Sequence, residues 1–454
     1  MGRWLYDDAM YRFGHAEASY WEATAASGEF VAEPLGEDDT CDVAIIGGGY
    51  TGLSAAYHLC RDQDLDVRVL EAGHFGWGAS GRNGGFCVVG GEAVGAETMV
   101  RRYGLDDARH YYRAQVEAVQ LVSDLIEAEQ IDAERQGDSE VAIACSPTGF
   151  QRLKKHAEFQ FRKLGLDTSV LSREQMKERH FDSPLQHGAA IVRPAFALHP
   201  LKYALGLAAA ARRQGARLHA LSEVSGWSKD GDRHLLSTAG GTLRAGNVIV
   251  ATNGFTPEHL DGRLYGRTLP FISAIVATRP MTSGELEAHA WQTHSPSITS
   301  LNLLNYFRVL PDGRLLFGGR GSADGSAASA ERNYDRLIAR LHEVFPAWKN
   351  VDIEYRWHGL ICMTRRLVPS LGRFNDDPSV LFGFGFHGNG VNTATWTGRQ
   401  LARWLADGRH KVDGAPDWLP RVVQGMSGRF PLPRLRLKAI QAAIAWRRFL
   451  DRKG

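Results

Sequence analysis

Residues 41–73, CDVAIIGGGYTGLSAAYHLCRDQDLDVRVLEAG, leave the chain few folds to choose from. Val43, Ala44, Ile45 and Ile46 are consecutive apolar residues, the pattern of a strand buried on both faces. Leu53, Ala56, Tyr57 and Cys60 then recur at helical spacing, and Val67 to Leu70 read as a second strand. Together they form a βαβ unit with a parallel sheet. Gly47, Gly49 and Gly52 give G-x-G-x-x-G where the strand meets the helix, with Tyr50 and Thr51 between the last two. The first glycine permits a tight turn, the second lets backbone approach a pyrophosphate, and the third lets helix pack on strand. Glu71, followed by Ala72, ends the second strand about 20 residues later, the position of an acid that holds a ribose. A dinucleotide site is implied, with the helix N-terminus facing the phosphates. The motif alone does not separate NAD from FAD.

The same pattern returns. HPLKYALGLAAAARRQGARLHA reads as a helix stopped by Gly215 and followed by a strand, and GTLRAGNVIVATNG ends in a buried strand. From 379, SVLFGFGFHGNGVNTATWTGRQLARWLADG reads as strand, glycine loop and helix. Between them, residues 95–130 are expected as one helix and FQRLKKHAEFQFRKLG as another. RTLPFISAIVATRPM and YFRVLPDGRLLFGGR suggest an antiparallel sheet with a PDG hairpin turn. The organisation expected is an N-terminal lead-in over 1–40; a discontinuous nucleotide-binding domain from 41–95, 190–255 and 355–410; a substrate or cap domain from 96–189 and 256–354; and a basic tail over 411–454.

Composition excludes several classes. Lysine and arginine number 53 against 51 acidic residues, so no overall charge attracts nucleic acid. The five cysteines (Cys41, Cys60, Cys87, Cys145, Cys362) are widely spaced with no C-x-x-C pair, which argues against a disulfide framework and a zinc site and for a reducing cytosol. No metal site is expected. The start, MGRWLYDDAMYRFGHAEASYW, has no secretory apolar run, and no stretch reaches the roughly 18 apolar residues of a spanning helix. A cytoplasmic protein is expected, attached at most to a membrane surface.

EAGHFGWGASGRNGGF, the lead-in ASYWEATA, FALHPLKYALGLA, VIVATNG and GFGFHGNGVNTATWTGRQLA, in this order over roughly residues 20–410, resemble the FAD-dependent D-amino acid oxidase superfamily. The glycine/sarcosine oxidase and γ-glutamylputrescine oxidase-like branch is nearest. The resemblance implies an α/β fold: a Rossmann-type, glutathione reductase-like FAD domain interleaved with an α+β substrate domain on an antiparallel sheet. It implies that the glycine-rich segment wraps the pyrophosphate and leads to the isoalloxazine, with Ser80, Gly81, Arg82, Asn83, Gly84 and Gly85 against the cofactor. Val224 matches the strand that meets the adenine, and Ala251, Thr252 and Asn253 close the FAD domain. Gly388, Asn389, Gly390 and Val391 lead into a helix, capped by Thr393, that points at the flavin. Where some relatives carry a histidine that binds flavin covalently, this chain has Arg82, so FAD is expected to dissociate.

The activity implied is oxidation of a C–N bond in a small amine or amino acid to an imine or aldehyde. His387 and His358 are the candidate proton acceptors, each with the alternative of a structural histidine. Tyr306 and Arg308 fall on one face of the expected hairpin by period two, with Arg320 further along. An arginine there binds a substrate carboxylate or is merely a solvated strand residue. Phe384, Phe386, Trp357 and Tyr306 are candidate walls of the site or ordinary core. Two departures matter. Gly390 stands where some sarcosine-oxidizing relatives have a lysine that promotes oxygen reaction, and Arg366 stands where many relatives have aspartate, which favours an acidic substrate or a structural ion pair. The acceptor is therefore oxygen, giving peroxide, or a quinone or other carrier, as for an L-pipecolate or other secondary-amine dehydrogenase. A noncatalytic flavin-binding redox sensor or assembly subunit is the reading from another class. The C-terminal RFPLPRLRLKAIQAAIAWRRFLDRKG has eight basic residues and one acidic, and Leu437, Ile440, Ile444 and Trp446 or Arg447 nearly form one stripe. It reads as a helix covering the FAD domain or as one lying on an anionic membrane.

Overall fold

The computed structural model describes residues 4–25, 30–301, 303–322, 324–407, 414–438 and 441–442. Two eight-stranded sheets organise it. The first runs Ser370–Phe374, Asp377–Phe384, Thr242–Val250, Asp39–Ile46, Val67–Leu70 and Arg217–His219, with a hairpin of Gly226–Asp230 and Arg233–Ser237 on the flank of Thr242–Val250. Its five central pairing partners are parallel, from Asp377–Phe384 through Arg217–His219. The apolar run behaves as its pattern requires. Val43 and Ile45 pack on one face beside Leu53 and Ala56, and Ala44 and Ile46 pack on the other beside Val248 and Val250. Each large apolar side chain so buried contributes about 1.5–3 kcal/mol.

Helix Tyr50–Gln63 follows the first strand, and helix Gly390–Asp407 follows the last parallel one. They cross tightly. A Cβ on Gly398 would lie 2.3 Å from the Thr51 carbonyl oxygen, and the Ser54 hydroxyl donates to the Thr395 carbonyl at 2.7 Å. This contact brings both helix N-termini to the same end of the sheet.

The second sheet runs Ile353–Thr364, Thr268–Pro280, Arg314–Arg320, Tyr306–Val309, Ser297–Thr299, Glu140–Ile143, Ala189–Arg193 and Asp167–Leu171. Its pairings are antiparallel except that of Ser297–Thr299 with Glu140–Ile143. Residues 190–193 and 355–364, expected in the nucleotide-binding domain, pair in this sheet instead. Their apolar alternation does not reveal which sheet they join, because that depends on pairing with distant strands. The expected helix over 95–130 is two, Ala96–Tyr103 and Leu105–Ala128, broken at Gly104, whose φ of +87° only glycine adopts readily.

The N-terminal lead-in is part of the core. Tyr6, Met10 and Tyr11 pack with Ile272 and Leu360, while Tyr20 and Trp21 pack with Trp357. The tail expected from 411 also begins as packed chain, for Leu419, Val422 and Val423 are buried and Val423 and Gly425 bond to Leu371 along the first sheet's edge. Leu437 packs beside Tyr6 and Met10, whereas Ile440, Ile444, Trp446 and Arg447 lie outside the described residues. No helix among the described residues is long and apolar enough to cross a membrane.

Candidate functional site

A cleft of about 1140 Å³, its open mouth included, lies at the ends of the parallel strands. That is the place where open α/β sheets bind ligands. One half is polar backbone. Ile46, Gly47, Gly49 and Leu70 form its floor, and Glu71, Ala72, Glu223 and Val224 its end. Glu71 accepts from the Gly48 amide at 2.6 Å and the Gly73 amide at 2.9 Å, which fixes the carboxylate. Burial pushes its pKa up and the two amides pull it back, the first effect being larger. Two of its four lone-pair positions are left for hydroxyl donors.

Gly49, the N-cap of helix Tyr50–Gln63, has no side chain to cap it, and the amides of Gly49, Thr51 and Gly52 have no acceptor among the described residues. Unpaired donors at the positive end of a helix are an anion cradle. The glycines are sterically required. A Cβ on Gly47 would lie 2.9 Å from the Ala251 oxygen at a φ of +107°, and one on Gly52 would lie 2.0 Å from the Gly47 oxygen. Ala251, Thr252 and Asn253 line the cleft, and the Asn253 side chain accepts from the Gly385 amide at 2.9 Å.

The other half is walled by Leu360, Ile361, Cys362 and Phe386, with His387, Gly388 and Gly390 at the start of helix Gly390–Asp407. Beside this helix end, Asn389 Oδ1 and both polar atoms of the Asn392 side chain are buried without a partner. A backbone cradle followed by an apolar slot fits a nucleotide joined to a flat heteroaromatic ring. Glu71 would hold the ribose, Gly47 to Gly52 the phosphates, and Phe386, His387, Gly388 and Gly390 the ring.

The glycine-rich segment divides. Ser80 and Asn83 line the cleft with Gly76 and Gly78, and Ser80 Oγ accepts from the Tyr50 amide at 3.0 Å. Gly81, Arg82, Gly84 and Gly85 do not line it, contrary to expectation. Cβ atoms on Gly81 and Gly85 would lie 2.1 Å from the Gly76 oxygen and 1.9 Å from the Leu198 oxygen, so protein backbone explains these glycines. Gly84 lies under the Tyr306 ring. Asn389 anchors to the Val88 carbonyl at 2.7 Å, and Val391 is core. Thr393 lies within helix Gly390–Asp407, not before it, and donates to Gln115 at 2.9 Å.

The expected catalytic residues take other roles. The His387 ring lines the cleft, but Nδ1 donates to the Gly91 carbonyl at 3.1 Å and Nε2 accepts from the Thr364 amide at 3.2 Å. Both nitrogens are committed, and burial lowers the pKa to about 4, so the neutral ring holds this loop, at a φ of +52°, rather than taking a proton. His358 does not line the cleft; its Nδ1 shares a 2.9 Å hydrogen bond with the Tyr334 hydroxyl. Tyr306 and Arg308 do share a face, but it meets Gly84. Tyr306 shares a 2.9 Å hydrogen bond with Ser273, and burial pushes its pKa up to about 12. Arg308 is 1% exposed and donates to the carbonyls of Gly84 (3.1 Å) and Leu198 (2.6 Å) and to Gln136 (2.9 Å). Each of its three nitrogens is thus bonded to backbone or Gln136, and the side chain does not line the cleft. Arg320 stacks on Phe271. Arg366 makes no ion pair among the described residues; it donates to the carbonyls of Gln424 and Gly425 and to Ser370, locking the returning chain. Of the aromatic walls only Phe386 lines the cleft; Phe384 is core, and Trp357 donates to the Arg82 carbonyl at 2.9 Å.

Trp4, Phe13, Trp77, Phe255 and Cys362 line the cleft without having been singled out. The signal for the first two was four aromatic residues, Trp4, Tyr6, Tyr11 and Phe13, in a segment otherwise polar.

Residues 42–404 match the model of a protein family described as FAD dependent oxidoreductase. The chain belongs to that family. FAD is therefore the cofactor that the cleft's two halves fit, and the chain is an FAD-dependent oxidoreductase. It is 31% identical over 404 residues to gamma-glutamylputrescine oxidoreductase of Escherichia coli (strain K12), covering 87% of this chain and 90% of that one. It is 22% identical to glycine oxidase of Bacillus subtilis (strain 168), over 80% of this chain and 92% of the relative. Among solved structures, glycine oxidase from Geobacillus kaustophilus superposes with a TM-score of 0.69 at 22% identity, covering 87% of this chain and all of that one. L-proline dehydrogenase from P. horikoshii gives 0.66 at 20% identity, over 82% and 95% of the two chains. These two share the expected fold.

Proposed function

We propose that this oxidoreductase breaks a C–N bond in a small primary or secondary amine, with an amine of the γ-glutamylputrescine type as its substrate. The observation that carries the choice of amine over amino acid is the charge of the cleft wall. Among the described residues no lysine or arginine lines it, and Arg308 and Arg366, the arginines expected to meet a substrate, donate to backbone carbonyls and neutral side chains instead. A substrate carboxylate would enter without a partner there, at a desolvation cost of several kcal/mol. An uncharged amine enters an apolar slot without that cost. The 31% identity to an oxidoreductase named for γ-glutamylputrescine supports the same choice.

FAD held between Gly47–Gly52, Glu71 and the loop before helix Gly390–Asp407 would supply a hydride acceptor for the carbon next to nitrogen, leaving an imine for water to hydrolyse. The chain supplies position and surroundings. Leu360, Ile361 and Phe386 exclude water from the ring end of the cleft, and the N-terminus of helix Gly390–Asp407 presents its positive dipole end there. His387 keeps the loop before this helix in place through two backbone bonds.

The test is product analysis. The FAD-replete protein is incubated in air with γ-glutamylputrescine, putrescine, sarcosine, glycine, L-proline and L-pipecolate, and aldehyde, ammonia and peroxide are measured. Aldehyde from an amine with stoichiometric peroxide identifies an amine oxidase; aldehyde formed only with an added electron acceptor identifies a dehydrogenase. Turnover of glycine or L-proline in preference to every amine would overturn the proposal.

A further inference from the structure

A second cavity, about 570 Å³ with its mouth included, shares Trp77 with the cofactor cleft as a lining residue. Arg82 and Trp77 make its floor, and Arg12, His15 and Glu17 of the N-terminal segment make its rim. The floor is built. The Arg82 guanidinium lies 4.1 Å from the centre of the Trp77 ring, and its Nε donates to the Trp77 carbonyl at 2.6 Å. Trp77 Nε1 in turn donates to the His15 carbonyl at 2.7 Å, tying rim to floor.

Arg82 is only 7% exposed, yet its Nη2 has no acceptor among the described residues, and Nη1 has only Glu17 Oε2 at 3.3 Å. An unused guanidinium donor beside a cavity offers a charge-assisted hydrogen bond to an acceptor there. Arg12 stands at the rim with its side chain exposed. Glu17 contacts Arg82 through one oxygen and lies 3.6 Å from His358 Nδ1 through the other, with lone pairs remaining toward the cavity. The cavity therefore offers the Arg82 guanidinium and the Glu17 carboxylate in fixed relation, with the exposed Arg12 guanidinium at its rim.

A simple anion would meet Arg82 but be repelled by Glu17. A simple cation would meet Glu17 but be repelled by both arginines. A group with carboxylate and ammonium on one carbon satisfies all three. The geometry points to a subsite for the zwitterionic α-amino acid head of a substrate or ligand, its carboxylate on Arg82 Nη2 and Arg12 and its ammonium on Glu17. Resting on the amine reading above, this places the head in the neighbouring cavity that shares Trp77 with the cleft, while the reacting amine enters the cleft. Specificity for an amine with a remote amino acid head then comes from residues of the N-terminal segment.

L-Glutamate titrated into the FAD-loaded protein by calorimetry is the direct test, because it carries the head without a reacting amine chain. The expected result is that L-glutamate binds, that glutarate, which lacks the ammonium, binds at least tenfold more weakly, and that Glu17→Gln and Arg12→Ala each weaken L-glutamate at least tenfold. With γ-glutamylputrescine, the same variants raise KM at least tenfold. No L-glutamate binding, equal binding of glutarate, or undiminished binding by both variants overturns the subsite. Should no amine be turned over, the amine reading fails, and the glutamate titration still decides the subsite.

Discussion

Replacing Gly52 with alanine probes the cofactor cradle with a single methyl group. The added Cβ would lie 2.0 Å from the Gly47 oxygen and 3.2 Å from its carbonyl carbon. Ordinary contact begins near 3.4 Å, so helix Tyr50–Gln63 or the Gly47 turn must move by about 1.4 Å, the difference 3.4 minus 2.0. Both partners at the clash are backbone, and no rotamer relieves it. The movement takes the amides of Gly49, Thr51 and Gly52 off the phosphates. Hydrogen bonds to a charged acceptor are each worth about 1.5–3 kcal/mol, so misplacing two of them costs about 3 kcal/mol or more. With about 1.4 kcal/mol per decade, FAD affinity falls more than a hundredfold. The crowding itself takes roughly 1–3 kcal/mol from the stability of the apoprotein. Quenching of flavin fluorescence on titration into apoprotein measures the first effect, and urea unfolding the second. Gly36→Ala is the control, since nothing lies within 4 Å of a Cβ there. Binding of FAD by Gly52→Ala within threefold of the unaltered chain would refute the assignment of this helix end as the phosphate cradle.

Arg308→Lys should lower stability by roughly 2–4 kcal/mol in urea unfolding, because one ammonium cannot replace three donors to Gly84, Leu198 and Gln136; an unchanged midpoint would show that the arginine is not a clamp. His58 and His387 are buried with pKa values of about 4, below the ordinary 6.5. The unfolded chain therefore binds their protons first, so stability is full above pH 6.5 and falls as pH drops toward 4, by roughly 1.4 kcal/mol per unit for each histidine. Denaturant midpoints that stay constant from pH 7 to 4.5 would contradict this. Acid precipitation should leave the yellow colour in solution, since Arg82 stacks on Trp77 and burial pushes the Cys362 thiol up to about 12, keeping it protonated in the cleft; a yellow pellet would show covalent attachment.

The nucleotide half of the site was legible because its chemistry is local. Gly47, Gly49, Gly52 and Glu71 act through a turn, a helix end and the next strand, all within one short βαβ unit. The glycine-rich segment was legible only in part. Its spacing announced close approach, but whether the approaching group is cofactor, as at Ser80, or the Leu198 carbonyl, as at Gly85, depends on a segment over a hundred residues away. Arg308 and Arg366 show the same limit. The residue type suits a carboxylate, and burial against backbone carbonyls, a tertiary fact, decides otherwise. His387 could be placed in the flavin loop, but the amide and carbonyl that occupy its ring come from Thr364 and Gly91. The polar lead-in concealed a wall of the cleft, because Phe13 packs on Trp77, and Trp77 on Phe255, across long loops.

The central claim is that the cleft holds FAD so that an amine reduces it. It is tested most directly by the visible spectrum of the purified protein as γ-glutamylputrescine is added without oxygen. The account predicts a yellow protein whose flavin band bleaches with about one equivalent of the amine and does not bleach with glycine at the same concentration. A protein that takes up no FAD, or a flavin band unchanged by every amine tested, would contradict it.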